Sequence, residues 1–317
     1  MRISGITYIS RKTHKVRNVV ITLLLLFFIL VVAVVVISSY VGWNLVHPPR
    51  IGIEPFSSNI VPEHRDVNFS SADKDIVLNG WLFEVKGSSK TVILAHGYGK
   101  NRLEFEEQTL DIIKGFVTRG FNVLAFDLRN SGKSGGKLTT MGFYEKNDLL
   151  GAVNYVKSLG SKQIVLMGFS TGASASIMAA AESKDISAVI ADSPYSELRK
   201  YLVDGFSEWT SLPAFPFNST LLLSMELLGG MDVDKASPRR FMVNISPRSV
   251  LLIHCRNDKE IPVENSRILY SVISKTKSKN HELWETDGDG HLGSFRKSPQ
   301  EYMDRVLGFL DKVFSEK

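Results

Sequence analysis

From residue 91 onward the chain alternates short unbroken apolar runs with stretches of helical period, and this alternation restricts the fold more than any other feature. Residues 91–95, 122–126, 164–167, 189–191, 250–253 and 282–284 read as short strands of the kind buried on both faces. Between them Leu110, Ile113 and Val117, then Leu149, Val153 and Val156, mark helical stripes. Residues 171–182 are Ala-rich and helical, and Tyr302, Val306, Phe309 and Val313 mark a closing helix. Residues 66–71 and 76–85 read as a leading strand pair. The pattern predicts an α/β domain over residues 66–317, with a mostly parallel sheet and helices on both faces. The one cysteine, Cys255, permits no intrachain disulfide, so a core must hold the domain together. A chain of 317 residues is long enough for one.

One stretch breaks the alternation. Residues 195–247 separate two strands and are too long for a plain connection. They carry Tyr201, Phe206, Trp209, Phe215 and Phe217, followed by a helix-like segment at 219–228. An inserted helical lid is expected there.

Ahead of the domain, residues 19–37 form an apolar run whose only polar residue is Thr22. At 1.5 Å per residue such a helix is about 29 Å long, close to the thickness of a bilayer's hydrocarbon. A cleaved signal sequence has a shorter apolar core and a small-x-small site after it, which Ser38-Ser39-Tyr40-Val41 does not supply. An uncleaved anchor over 19–42 is the expectation, with Tyr40 and Trp43 at the interface. Residues 1–18 hold five basic residues and no acid, which equals the net charge of the whole chain, +5. A basic cytoplasmic tail at 1–18 and a catalytic domain outside the membrane follow from the positive-inside rule. The remainder is neutral, and nothing in it suggests a nucleic-acid partner. Residues 43–65, with Pro48, Pro49, Pro55 and Pro62, read as an extended linker. Asn68, Asn218 and Asn244 lie in N-x-S/T triplets, which matter only in a eukaryotic secretory setting.

The pattern G-x-S-x-G occurs twice, at Gly168-Phe-Ser170-Thr-Gly172 and at Gly132-Lys-Ser134-Gly-Gly136. It has chemical meaning only as a strand–turn–helix elbow, where the tight turn lifts the serine hydroxyl above the sheet at the start of a helix. Ser170 has a strand before it and a helix after it. Ser134 lies in a Gly-rich polar stretch and reads as a surface turn. Ser170 is therefore the expected nucleophile.

A serine hydroxyl needs a base, and the base needs an acid to orient it. Behind such an elbow the chain order is serine, acid, histidine. Of the three histidines after Ser170, His254 falls inside a buried strand and His281 opens the next one. His291 sits in the Gly-rich loop Asp287-Gly-Asp-Gly-His291, where a base is expected. A calcium loop there would need a terminal Glu, and position 298 is Ser. Asp258, in the loop after strand 250–253, is the expected acid, with Asp192 as competitor. The oxyanion hole needs two backbone N–H groups: that of Thr171, directly after the nucleophile, and one from the loop His96-Gly97-Tyr98-Gly99, for which Tyr98 is chosen. His96 is expected to brace that loop. No metal or cofactor is implied.

These pieces carry a family likeness. His96-Gly97-Tyr98-Gly99, Asp127-Leu-Arg129-Asn-Ser-Gly132-Lys-Ser134-Gly-Gly136, Gly168-Phe-Ser170-Thr-Gly172, Arg256-Asn-Asp258 and Gly290-His291 together resemble the α/β-hydrolase superfamily, in the branch of serine aminopeptidase-like, monoacylglycerol-lipase-like and related carboxylesterases. The likeness spans about residues 66–317. It implies an α/β-hydrolase fold, and it explains the second motif, since Ser134 falls in that family's loop after the fourth strand; the lid at 195–247 matches nothing in the family residue by residue. Two positions depart from the pattern, Asn130-Ser131 for Gly-His and Cys255 for Gly, and neither touches the triad.

Three functions follow. The leading one is a serine hydrolase that cleaves carboxylic esters through an acyl-enzyme, its apolar lid suited to an acyl chain or aromatic group and its place beside a bilayer to lipid-like esters. A peptidase or amidase with the same triad would need lid carboxylates for a free amine, and Glu197, Asp204, Glu208 and Glu226 are available. A non-enzymatic binding protein on this scaffold would have no reason to keep three catalytic groups.

Overall fold

The computed structural model describes residues 12–53, 60–74, 76–210, 212–278 and 280–315. The first helix, α1 (Lys12–Val46), contains the whole apolar run. Leu23 to Leu30 are each more than half exposed, so no protein covers them as it would cover a core helix. The helix is long and apolar enough to cross a membrane. It also runs on past Trp43, where an extended linker was expected, and stops just before Pro48-Pro49. Nothing in Trp43-Asn-Leu-Val46 breaks a helix, whereas a proline disfavours helical backbone in the residue before it.

Eight strands among the described residues form one sheet in the order β1-β2-β4-β3-β5-β6-β7-β8. They are β1 (Arg65–Ser70), β2 (Val77–Phe83), β3 (Lys90–Ala95), β4 (Asn122–Asp127), β5 (Gln163–Phe169), β6 (Ile186–Asp192), β7 (Ser249–Cys255) and β8 (His281–Thr286). β2 pairs antiparallel with β1 and β4, and every pairing from β4 to β8 is parallel. The parallel strands are apolar at successive positions because both faces are covered. Val92 and Leu94 of β3 enter one core while Ile93 and Ala95 enter the other, as alternate side chains of a strand must.

The helices divide between these cores. α2 (Thr109–Thr118) and α10 (Pro299–Ser315) bury Ile112, Phe116, Val306 and Phe309 on one face. α3 (Glu145–Ser158), α4 (Thr171–Glu182) and α8 (Glu264–Ile273) bury Leu149, Val153, Ile177 and Leu269 on the other. The short α9 (Gly293–Lys297) follows β8.

Between β6 and β7 the chain forms α5 (Leu198–Thr210), α6 (Ala214–Gly229) and α7 (Pro238–Phe241). α6 starts earlier than the helix expected at 219–228 and departs from helical angles at Phe215. This insertion has its own apolar cluster, built on Tyr195, Leu198, Leu202, Phe206, Leu221 and Met225, and Val46 of α1 is part of it. Phe215 is 88% exposed and faces away from that cluster, and the side chain of Trp209 lies outside the described residues.

Candidate active site

β5 runs into α4 through a single residue, Ser170, at φ 53° and ψ −121°. A non-glycine residue at positive φ is strained, and such strain persists only where the surroundings impose it. Here the neighbours do so. A Cβ on Gly168 would stand 2.6 Å from Cα of Ala173, and one on Gly172 would stand 2.8 Å from the carbonyl carbon of Ala95. The strand and helix therefore approach closely only because both positions are glycine. Ser170 N–H is held by Asp192 O at 2.8 Å, and the residue is 5% exposed. Gly172→Ala should lower the melting temperature by about 5 °C or more, from overpacking of about 1–3 kcal/mol against backbone that cannot retreat. A calorimetric scan of the folded variant checks this.

His291 sits between β8 and α9. Its Nδ1 donates to Asp258 Oδ2 at 2.7 Å. The other oxygen of Asp258 accepts the N–H groups of Glu260 (3.0 Å) and Ile261 (2.9 Å), so the carboxylate is fixed by its own loop. His254, fully buried in β7, adds a partner that the sequence did not reveal. Its Nε2 donates to Ile261 O at 2.7 Å and lies 3.4 Å from Asp258 Oδ2, while Nδ1 meets Ser266 Oγ at 2.7 Å. Burial opposes a charge on Asp258, but hydrogen bonds from His254 and His291 outweigh it and hold the carboxyl well below its ordinary range. For His291 burial lowers the pKa, and the bond and charge of Asp258 more than reverse this, so the net shift is upward.

Asp192, the competing acid, is occupied elsewhere. Its Oδ2 accepts from Tyr302 OH at 2.8 Å and its Oδ1 from Ser193 at 3.0 Å. His281 bonds Ser278 O at the far end of β8. His291 and Asp258 are thus brought together. Among the described residues Nε2 of His291 is buried with no hydrogen-bond partner, so no bond joins it to Ser170 Oγ.

The loop after β3 lies against Ser170: a Cβ on Gly97 would stand 3.1 Å from Ser170 Cβ. His96 braces it, with Nε2 accepting Leu128 N–H at 3.0 Å and Nδ1 donating to Gly97 O at 2.8 Å. Burial keeps this imidazole's pKa low and the ring neutral. The N–H of Gly97 donates to Glu104 Oε2 at 2.5 Å. Burial raises the Glu104 carboxyl to about 7, even with that bond and the field of Lys100 and His291 pulling it down. Glu104 was not legible in the sequence, where it is one acid in an acidic stretch. A cavity of about 540 Å³ opens beside this loop, lined by Leu45, Tyr98, Met141, Thr171, Tyr201 and Glu260. That volume is typical of a small-molecule pocket.

Ser134 is not the surface turn its composition suggested. It is fully buried, its Oγ donating to Asp127 O and accepting Asn79 N–H at 2.8 Å. Asp127 in turn forms a buried ion pair with Arg102 at 2.6 Å. The glycines of this loop admit a tight path around Asp127, and its polar groups are satisfied internally.

Residues 90–225 match the model of the alpha/beta hydrolase fold family. An esterase of Pyrococcus furiosus, Pf2001, is 34% identical in sequence and superposes with a TM-score of 0.70, over 84% of this chain and 98% of that one. The uncharacterized protein YqkD of Bacillus subtilis (strain 168) is 30% identical over 249 residues, 75% of this chain and 79% of its own. The polyketide transferase ATR5 of Stachybotrys chlorohalonatus is 30% identical over 301 residues, 78% of this chain and 99% of its own. With the family model matched and with relatives at 30% identity or more covered over most of their length, the chain belongs to the α/β-hydrolase family.

Proposed function

We propose that the protein is a serine hydrolase that cleaves carboxylic esters, with Ser170 as nucleophile, His291 as base and Asp258 as orienting acid. The observation that carries this reading is the strained Ser170 at the start of α4, together with a part-buried imidazole, His291, whose Nδ1 is tied to a carboxylate and whose Nε2 is buried without a partner among the described residues. Ser170 Oγ attacks the acyl carbon while His291 Nε2 takes its proton. The oxyanion is met by the N–H groups of Thr171 and Tyr98, since Gly97 N–H is committed to Glu104. The N-terminal end of α4 adds its dipole. His291 then protonates the leaving alcohol, and water activated by the same imidazole releases the acid.

Ester cleavage is favoured over cleavage of an aminoacyl bond. Three of the lid carboxylates that could hold a free amine are spent on cations: Glu197 on Arg239, Asp204 on Lys200 and Glu226 on Arg199. Relatedness to an esterase at 34% identity points the same way. A fluorophosphonate probe should label Ser170, and a panel of esters and aminoacyl amides should show turnover of the esters. Turnover of the amides alone would overturn the substrate class.

His291 must be neutral to act as base. Its pKa is raised above 6.5, so kcat/KM should be full at alkaline pH and fall as pH drops through a midpoint above 6.5. A pH–rate profile with its acid limb below that value would contradict the pairing with Asp258.

α1 is read as an uncleaved anchor with the basic N-terminus in the cytoplasm and the catalytic domain outside. Protease added to intact cells or spheroplasts should then remove the domain, and a protected domain would reverse the orientation.

A further inference from the structure

The last turn of α1 is joined to the catalytic domain at two of the four carbonyls a helix end leaves without partners in its own backbone. Leu45 O accepts the hydroxyl of Tyr98 at 2.8 Å, and Val46 O accepts Thr139 N–H at 2.9 Å. One of these partners lies in the loop beside Ser170 and the other in the loop that follows Ser134. Just beyond, Arg50 donates to Ser134 O at 2.6 Å and to Gly136 O. The second G-x-S-x-G segment thus works as a clasp for the chain leaving α1.

On its other side α1 lies parallel to α6 of the lid. Ser38 Oγ and Thr220 Oγ1 are 2.6 Å apart, Ser224 Oγ donates to Ser38 O at 3.1 Å, and Gly42 faces Ser224 so closely that a Cβ would collide with it. Val46 is fully buried in the lid's cluster. Small residues at 38 and 42 let the two backbones approach, and α1 is held between lid and loop as a component of both.

Leu45 lines the cavity that Thr171 and Tyr98 also line. We propose that the last turn of α1 is a wall of the substrate pocket, and that Leu45 is a specificity-determining residue which limits the acyl chain the site accepts. This rests on the reading of Ser170 as the acyl site. Leu45 stands eight residues beyond the apolar run, about 12 Å along the helix. The wall therefore sits close to the level of lipid headgroups, and the fitting ligand is an ester whose acyl chain enters from that boundary. In this design the anchor selects substrate as well as holding the enzyme in place.

The test uses the full chain in nanodiscs, with octanoyl and acetyl esters of one chromogenic alcohol. Leu45→Trp should lower the octanoyl-to-acetyl ratio of kcat/KM by about tenfold, since filling a pocket by a few methylenes' worth of volume has effects of that order. Leu45→Ala, which adds no bulk and guards against a folding failure of the larger variant, should raise the ratio. Binding of octanoic acid is measured by titration calorimetry in the Ser170→Ala background, where no acyl-enzyme forms. Adding Leu45→Trp should weaken it by about tenfold. Unchanged ratios with unchanged octanoate affinity would overturn the proposal, and so would equal losses on both esters. If the wild type cleaves no ester while octanoate binding still depends on Leu45, the wall stands and the esterase reading falls.

Discussion

Ser170→Ala is expected to lower ester hydrolysis by about 10⁴–10⁶-fold, the loss that follows deletion of a triad nucleophile, and to abolish fluorophosphonate labelling. His291→Ala should cost nearly as much, because nucleophile and base act as a unit. The control is Ser134→Ala. Both serines satisfy the same five-residue pattern, but Ser134 Oγ is spent on Asp127 O and Asn79 N–H in the wall of a buried loop. Its truncation leaves Asn79 N–H without its acceptor and should cost about 1–3 kcal/mol of stability. The chemical step per folded molecule should stay close to wild type, and the probe should still label the protein. The measurement is kcat on protein whose folded fraction is fixed by calorimetry. Full activity in Ser170→Ala would end the assignment. Loss of turnover in folded Ser134→Ala would show that the clasp it belongs to shapes the oxyanion loop through Leu45 and Tyr98.

The sheet was legible because parallel strands buried on both faces must be apolar at every position. Residues 91–95, 122–126, 164–167 and 250–253 each lie inside an observed strand, and the flanking Gly or polar residues mark the ends. The leading strand pair at 66–71 and 76–85 was readable too, but its antiparallel direction comes from the structure. What the sequence could not express is partnership across the fold. His254 looked like one more buried residue, and only the return of Ile261 and Ser266 against it makes it a support for Asp258. Glu104 is seven residues from Gly97 in a stretch of acids, and nothing local says that its carboxylate turns back to take that N–H.

The region least legible was the one where the apolar helix α1, the insertion between β6 and β7 and the loop after β3 meet. Prolines at 48, 49, 55 and 62 made 43–65 look like a free spacer, yet a proline marks only where a helix stops and is silent on what the last turn touches. Helix α1 ends at Val46 with its carbonyls bonded to Tyr98 and Thr139, contacts 53 and 93 positions away in the chain. In the lid, aromatic content pointed to Phe215 as a pocket residue, but Phe215 is exposed at the start of α6, while Tyr201 lines the cavity. Phe215→Ala is accordingly expected to leave acyl-chain preference alone, and a chain-length series of esters checks it.

Asp258→Asn carries the second large effect and separates the two acids that follow successive strands. The carboxamide keeps the volume but can present its NH₂ to His291 Nδ1, which then favours the wrong tautomer for a base at Nε2, and kcat should fall by about 10⁴-fold. The charge is lost as well. In the wild type the bond and charge of Asp258 outweigh burial and raise the His291 pKa above 6.5. With asparagine in place, burial is opposed only by the weaker fields of Glu260 and Asp192, so the residual activity should show its acid limb moved to lower pH than in the wild type. Asp192→Asn should behave differently. That carboxyl, raised to about 6 by burial, serves Tyr302 and Ser193 beneath the site, so the variant should lose stability through this buried network; its charge adds less to the His291 shift than that of Asp258, so the acid limb should move down less than in Asp258→Asn. Profiles of kcat/KM between pH 5 and 9 for the three proteins decide the matter. A limb that stays put in Asp258→Asn and moves in Asp192→Asn would transfer the orienting role from the loop after β7 to the end of β6, and with it the geometry on which the mechanism rests.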